Sequence, residues 1–557
     1  MRNWKRGPAL LLAAVLSLCA LSGCGRAGQG LEFSACVGGE PEELDPIYAT
    51  SAADQTILVH LYDNLMRKIP GASGGSSLSN GAAQDVQEEE NADGSVTYTF
   101  KIRGEWSDGR DVQAEDFVFA WQRLADPANG SPNASLLSVV AGYDTVQESG
   151  DPTALQVSAG EDNTFVVVLN GRYEWFLSEV CTAPATMPLR QYLVQPEEAE
   201  DGTEGAEAEE EESPAAWWSD VAALVTNGPY QVSAYDEGTS LTLTASGTYE
   251  DAAGPETLIF RFTDAQAGQE LYDSGTVDFL GALPEARLAE LVQEESPSLA
   301  TELGVHAVRF QCSHDTLMDA RVRLALSLVI DRTAVAQAAG AAASPSSGLI
   351  PPGVPGDEET DFRTAGGELL DNDPAHQEEL LQEARRLLQE AGYGDVESLG
   401  QLEYLYVDTD REAAVAQILV DNWRDALGIE VTARAVTEEE MAAALRDGDF
   451  TMASAEVLPM GNDAECYLME WQSTSALNTS RYNNSAYDTL LSVIAAAQDE
   501  TARMGCLHDA EALLLEEGAI APLYTTVTAW SLRDGLTGVL RDARGWFSFA
   551  AVREAEG

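Results

Sequence analysis
Basic residues are scarce in this sequence. Its 557 residues include 31 Lys+Arg against 93 Asp+Glu, a formal net charge of −62. A surface this acidic repels phosphate and cannot build a basic track, which excludes nucleic acid and anionic membrane surfaces as primary partners. Histidine is scarcer still. Five of them (His60, His306, His314, His376 and His508) leave little for base catalysis or metal binding. Seven cysteines contain no CxxC pair, so neither a thioredoxin-like site nor a zinc ribbon is indicated. There is no P-loop glycine–lysine signature and no HExxH. What is present is enough apolar material, 45% of the chain with 7% aromatic, to build cores, so global disorder is excluded despite the charge. The length corresponds to roughly three to four domain-sized units.

The first 24 residues account for part of the composition. Arg2, Lys5 and Arg6 precede an apolar run over 9–20 that is too short to span a bilayer, and Leu21-Ser22-Gly23-Cys24 follows it. This stretch resembles a bacterial lipobox, with Cys24 as the lipidated first residue of the mature chain. Loss of residues 1–23 takes three positive charges away and moves the formal charge from −62 to −65. Two acyl chains on Cys24 would hold the protein to a membrane stably, and the Gly-rich residues 24–30 read as a tether. Cys36, Cys181, Cys312, Cys466 and Cys506 remain. At most two disulfides could form among five, and the sequence does not choose the pairs.

Hydrophobic periodicity alternates between β and α along the chain. Strands are predicted at 33–37, 96–102, 164–169, 230–235, 240–245, 257–262, 277–280, 402–406, 429–433 and 519–524. Helices are predicted at 51–66, 114–124, 265–274, 320–330, 377–391, 411–427, 438–445, 485–498 and 501–517. Residues 70–81 read as a Gly/Ser loop. Ten of the sixteen residues 197–212 are Asp or Glu with no apolar face, the signature of a solvated insertion; the stretch lacks the spaced ligands of an EF-hand. The result is a mixed α/β architecture in more than one lobe.

Formal catalytic motifs fail on context. Gly71-Ala72-Ser73-Gly74-Gly75 satisfies GxSxG but has no helix after it, whereas a nucleophile elbow needs strand, turn and helix. Gly23-Cys24-Gly25-Arg26-Ala27-Gly28 satisfies GxGxxG but straddles the cleavage site and the tether. Cys312, His314 and His306 match no standard metal-ligand spacing. Carboxylates are so abundant that a glycosidase-like pair carries no specificity. No enzymatic activity, cofactor or metal is expected.

Several segments occur in an order that resembles one known family. They are Gly39-Glu40-Pro41-Glu42-Glu43-Leu44-Asp45-Pro46, Tyr98-Thr99-Phe100-Lys101-Ile102-Arg103, Trp106-Ser107-Asp108-Gly109, Ala114-Glu115-Asp116-Phe117-Val118 with Trp121-Gln122-Arg123, Thr226-Asn227-Gly228-Pro229-Tyr230, residues 272–279, residues 321–332, Arg481-Tyr482-Asn483-Asn484 with Tyr487-Asp488, and residues 519–524. From about Phe33 to the C-terminus the chain resembles the family 5 extracellular solute-binding proteins of ABC importers, the oligopeptide-, dipeptide- and nickel-binding group. The resemblance implies a two-lobed periplasmic-binding-protein-like α/β fold of the class II type, with an extra subdomain on lobe one. Carried onto this chain, lobe one comprises 31–62, 184–308 and 525–557 with the acidic insertion at 197–212, the extra subdomain 63–183, and lobe two 309–524. The crossings fall near 308–311 and 523–526. Trp106, Asp116 and Trp121 read as residues that fix the small subdomain.

The resemblance also implies where ligand sits. Peptide-binding members use an Asp of lobe two, within a Trp-x-Ala-Asp-Tyr-like stretch, to pair with the peptide's α-amino group. Here that stretch aligns with Val457-Leu458-Pro459-Met460-Gly461, so Met460 stands at the Asp position, and the preceding aromatic aligns near Glu438. A buried ammonium without a counter-charge costs several kcal/mol; Asp463 and Glu456 are the substitutes at hand. Asn133 falls where a cleft tyrosine is common, Ala52 and Thr526 occupy other cleft positions, and Tyr524 keeps an aromatic close by. The expected function is that of a lipid-anchored, extracytoplasmic, monomeric substrate-binding component of an ABC importer, for peptides or a related polar solute, with a membrane permease as partner. The alternatives are a surface receptor or sensor on the same fold and a secreted hydrolase.

Overall fold
In a computed structural model, residues 30–555 are described apart from 72–74, 195–215, 248, 250–253, 295, 297, 358–359 and 476. The lipobox, Cys24, residues 24–29 of the tether and the acidic run 197–212 lie outside the described residues. So does the centre of the GxSxG match.

Alternation builds the first sheet. Phe33 and Ala35 on the strand Glu32–Cys36, Leu258 and Phe260 on Thr257–Arg261, and Leu241 and Leu243 on Ser240–Ala245 all point into one core. The sheet runs in the order Ser531–Leu532, Phe279–Leu280, Glu32–Cys36, Thr257–Arg261, Ser240–Ala245, Tyr230–Asp236. Its centre is parallel and its edges antiparallel. A second six-stranded sheet has the order Ala343–Pro345, Ile520–Thr528, Ala300–Phe310, Met452–Val457, Leu402–Val407, Val431–Val436. Three apolar clusters pack against this sheet. Two six-stranded sheets with separate cores give the two-lobed mixed α/β architecture expected from the sequence.

A four-stranded antiparallel sheet, in the order Ala83–Glu90, Val96–Ile102, Thr164–Leu169, Val157–Gly160, forms the small subdomain. Helix Ala114–Ala125 covers it. Asp116 closes the helix's N-terminus by accepting from the Gln113 amide at 2.9 Å, and it also accepts from Trp106 Nε1 at 3.0 Å. Trp106 and Trp121 are fully buried, so these residues act structurally. The subdomain shares one continuous apolar core with the first lobe.

Several elements differ from the sequence reading. The first helix is Ala52–Leu61 and stops five residues short, because Met66–Pro70 is a strand. That strand pairs with Ser76–Asn80, inside the stretch read as a loop. The strand Ala83–Glu90 carries almost no apolar alternation and was missed, as was Met452–Val457. The five cysteines among the described residues are free thiols. Among the described residues no helix is long and apolar enough to cross a membrane.

Candidate functional site
Two long strands lie side by side at the centre of the second sheet. Ala300–Phe310 pairs antiparallel with Ile520–Thr528, and from Val305 onward its other edge pairs with Met452–Val457. Opposed residues share a face of a sheet, and so do residues two apart on one strand. Glu456 is opposite His306, and His306 is opposite Tyr524, so one row of side chains crosses three strands. Ser454 and Thr526 extend the same face. The rings of His306 and Tyr524 stack with centroids 4.3 Å apart. Thr526 Oγ1 donates to Glu302 at 2.5 Å, and Ser454 Oγ donates to Glu412 at 2.5 Å.

A cavity of about 520 Å³ opens on this face, walled by His306, Arg411, Glu412, Glu438, Ser454 and Glu456 among others. Burial, and next the Arg411 charge, push the His306 imidazole down to about 4, so it is neutral at physiological pH. Burial and then the charges of Glu302 and Glu412 raise the Glu456 carboxyl above the usual carboxylate range, against the pull of Arg411. Among the described residues no group of three or more His, Cys, Asp or Glu is placed to hold a metal ion.

The loop after Met452–Val457 leaves this face and reaches the subdomain. The Sδ of Met460 lies 3.8 Å from the Ser138 hydroxyl that points at it, and its side chain packs against the core shared by the first lobe and the subdomain. Gly461 passes so close to Glu179 that a Cβ there would sit 2.5 Å from Glu179 Cγ. The Asn462 amide donates to Glu179 Oε2 at 3.1 Å. Glu179 is itself held by Lys68 at 2.9 Å, and Lys68 also binds Asp542 at 2.7 Å. Behind the loop, Asp463 caps the helix Ala464–Leu468 and pairs with Arg503 at 2.7 Å. Glu465 pairs with the same guanidinium at 3.0 Å and accepts from Trp175 Nε1 at 3.2 Å. Burial outweighs Arg503 and lifts the Glu465 carboxyl to about 7.

The residues singled out in the sequence therefore fall into two groups. Tyr524 and Thr526 belong to the sheet face, whereas Ala52 begins the helix Ala52–Leu61 and lies beside Gly545. Met460, Gly461 and Asp463 belong to the loop. Asn133 stands at the subdomain edge, donating to the Ile47 and Ala49 carbonyls at 3.1 and 3.3 Å. Val457 is buried in the second lobe's core, whereas Leu458 is 67% exposed. Sequence reasoning missed Glu302, Glu412, Arg411, Trp175, Glu179 and Glu465. The only local signal was the alternation of Ser454 and Glu456 in Met-Ala-Ser-Ala-Glu-Val.

Residues 79–479 match the family model for bacterial extracellular solute-binding proteins, family 5 Middle. The chain is 26% identical over 519 residues to the periplasmic murein peptide-binding protein MppA of Escherichia coli, covering 90% of this chain and 88% of that protein. It is 28% identical over 512 residues to the periplasmic oligopeptide-binding protein OppA of the same organism, covering 88% and 86%. The unliganded open form of the murein tripeptide-binding protein MppA superposes with a TM-score of 0.70 at 24% identity, covering 95% of this chain and 99% of that one.

Proposed function
We propose, for a chain that belongs to the family 5 bacterial extracellular solute-binding proteins, that it captures a peptide or a related polar solute between its lobes and delivers it to the permease of an ABC importer. Its relatives MppA and OppA are peptide-binding by name. The observation that carries the reading is the polar face across Ile520–Thr528, Ala300–Phe310 and Met452–Val457, together with the loop that leaves the last of these strands and meets Glu179 of the subdomain. Lobe one is 31–62, 184–308 and 525–557, the subdomain 63–183, and lobe two 309–524. Ligand lies among Ala52, Asn133, Leu458, Met460, Gly461, Tyr524 and Thr526, with Val457 and Asp463 supporting the loop from behind. Binding and hinge closure make up the whole cycle, with no bond broken. The protein is a monomer, held outside the cytoplasm through lipidated Cys24.

The test is mass spectrometry of small molecules released on denaturing gently purified protein. Recovery of peptides supports the reading. Recovery of a non-peptide solute alone would replace the ligand class, and turnover of a peptide by the purified protein would replace binding with hydrolysis.

A further inference from the structure
The loop position that supplies a counter-charge in the resembling family holds Met460, yet the sheet face a few residues earlier is crowded with carboxylates. We infer that the 520 Å³ cavity on this face is a subsite for a positively charged side group of the solute, an alkylammonium or guanidinium, received by Glu456 with Glu412 and Glu438 lining the same cavity. The inference rests on the solute-binding reading above and assigns the chemistry of one part of that ligand.

Three independent features support it. Glu456 is placed rather than merely present: Gly304 has no side chain, and a Cβ there would lie 2.0 Å from Glu456 Oε1. The carboxylate thus folds into a space that glycine alone leaves open. Second, Tyr524 is 1% exposed and its hydroxyl has no hydrogen-bond partner among the described residues. Tyr524 stands in one row with His306 and Glu456, both of which line the cavity, and its ring stacks on His306, so a buried polar atom beside this cluster has nothing to satisfy it. Such atoms are costly unless something binds there. Third, the balance of charge is negative. Glu412, Glu438 and Glu456 line the cavity against Arg411, with neutral His306 beside them. Ser454 and Thr526 occupy one lone pair each on Glu412 and Glu302, which fixes those carboxylates without neutralising them. Burial, and next the charges of Glu302 and Glu412, hold the Glu456 carboxyl above its ordinary range, and a cation arriving here offsets both. Since no metal-holding cluster exists among the described residues, an organic cation fits better than a bare metal ion.

Calorimetry on the full chain, stripped of endogenous ligand by unfolding and refolding, tests this with trilysine, trialanine, triglutamate and spermidine as probes. Trilysine is expected to bind at least tenfold tighter than triglutamate. Glu456→Gln is expected to lose about tenfold for trilysine, as one charge-assisted hydrogen bond predicts, while leaving trialanine unchanged. Gly304→Ala, which displaces the carboxylate without removing it, is expected to show the same selective loss. Equal affinity for trilysine and triglutamate, or a Glu456→Gln loss that is the same for every peptide, overturns the cation subsite and leaves the peptide reading standing. Failure of all three peptides with retention of spermidine, weakened by Glu456→Gln, refutes the peptide reading and keeps the subsite. Failure of all four probes overturns both.

Discussion

Lys68→Met is the sharpest test of how the subdomain, the first lobe and the loop are fastened together. Lys68 Nζ lies 2.9 Å from Glu179 and 2.7 Å from Asp542, and the three side chains are 7%, 5% and 2% exposed. Methionine keeps most of the stem's packing and removes the charge. Removing one partner of a buried ion pair costs about 3–5 kcal/mol, because the carboxylates left behind stay desolvated. Arg544 still approaches Glu179 at 3.4 Å, so the loss should fall near the low end, about 3 kcal/mol. Urea denaturation followed by tryptophan fluorescence at about pH 7 reads it. Repeating the melts in acid separates charge from packing. Burial alone would raise the Asp542 carboxyl, but Lys68 and Arg544 outweigh it and hold the pKa below the usual value. A carboxyl depressed in the folded state contributes stability above its unfolded pKa and loses it as pH falls through the folded one. The gap between wild type and variant should therefore be full near neutrality and close progressively below about pH 4. A gap under about 1 kcal/mol, or one that does not change with pH, would refute the reasoning.

Gly461→Ala places a Cβ 2.5 Å from Glu179 Cγ and 2.6 Å from its Cβ, an overpacking of about 1–3 kcal/mol; if the contact belongs to the ligand-holding state, calorimetry should show about 5–150-fold weaker binding, and unchanged affinity would make the contact purely structural. The Glu465 carboxyl, raised to about 7 by burial, contributes stability that is whole below its unfolded pKa and is lost as pH rises toward neutrality. Glu465→Gln should flatten that slope, worth up to about 3 kcal/mol, in melts recorded across this window; an unchanged slope counts against it. Asp116→Ala removes the acceptor of both the Gln113 amide and the buried Trp106 indole N–H, so thermal stability should fall by about 1–3 kcal/mol with a changed near-UV tryptophan signal.

Much of the fold was legible because its elements carry their own signals. Helix Glu438–Asp447 has a Thr437/Glu440 capping box and ends at Gly448, with φ 74°. The hairpin between Val157–Gly160 and Thr164–Leu169 turns on Asp162 and Asn163, both in the left-handed region. By contrast Met66–Pro70, Ser76–Asn80 and Ala83–Glu90 are strands only because partners pair with them; Gln84, Asp85, Gln87, Glu88, Glu89 and Glu90 offer no apolar face to read. The site divides the same way. Tyr524 and Thr526 could be found because they lie on a segment with family-like sequence, while Glu302 meets Thr526 across 224 residues and Glu179 meets Asn462 across 283. No window of sequence contains such a pair.

The same geometry disfavours an aspartate at position 460, which a variant can check. Met460 packs against the apolar core shared by the first lobe and the subdomain, and the next two residues press on Glu179, whose Oε2 accepts from the Asn462 amide. Asp463 and Glu465 follow at once, with Arg503 already shared between them. A carboxylate at 460 would add a negative charge to a stretch whose cations are fully engaged, and like charges at such sites cost stability rather than attracting a ligand. Met460→Asp should therefore lower the thermal midpoint and leave trialanine binding no tighter than in wild type. The cation subsite inferred on the strands, where Gly304 leaves room for Glu456, receives a charged side group and does not depend on position 460. A Met460→Asp variant that keeps wild-type stability and binds trialanine tenfold tighter would put a counter-charge in the loop and sink the argument.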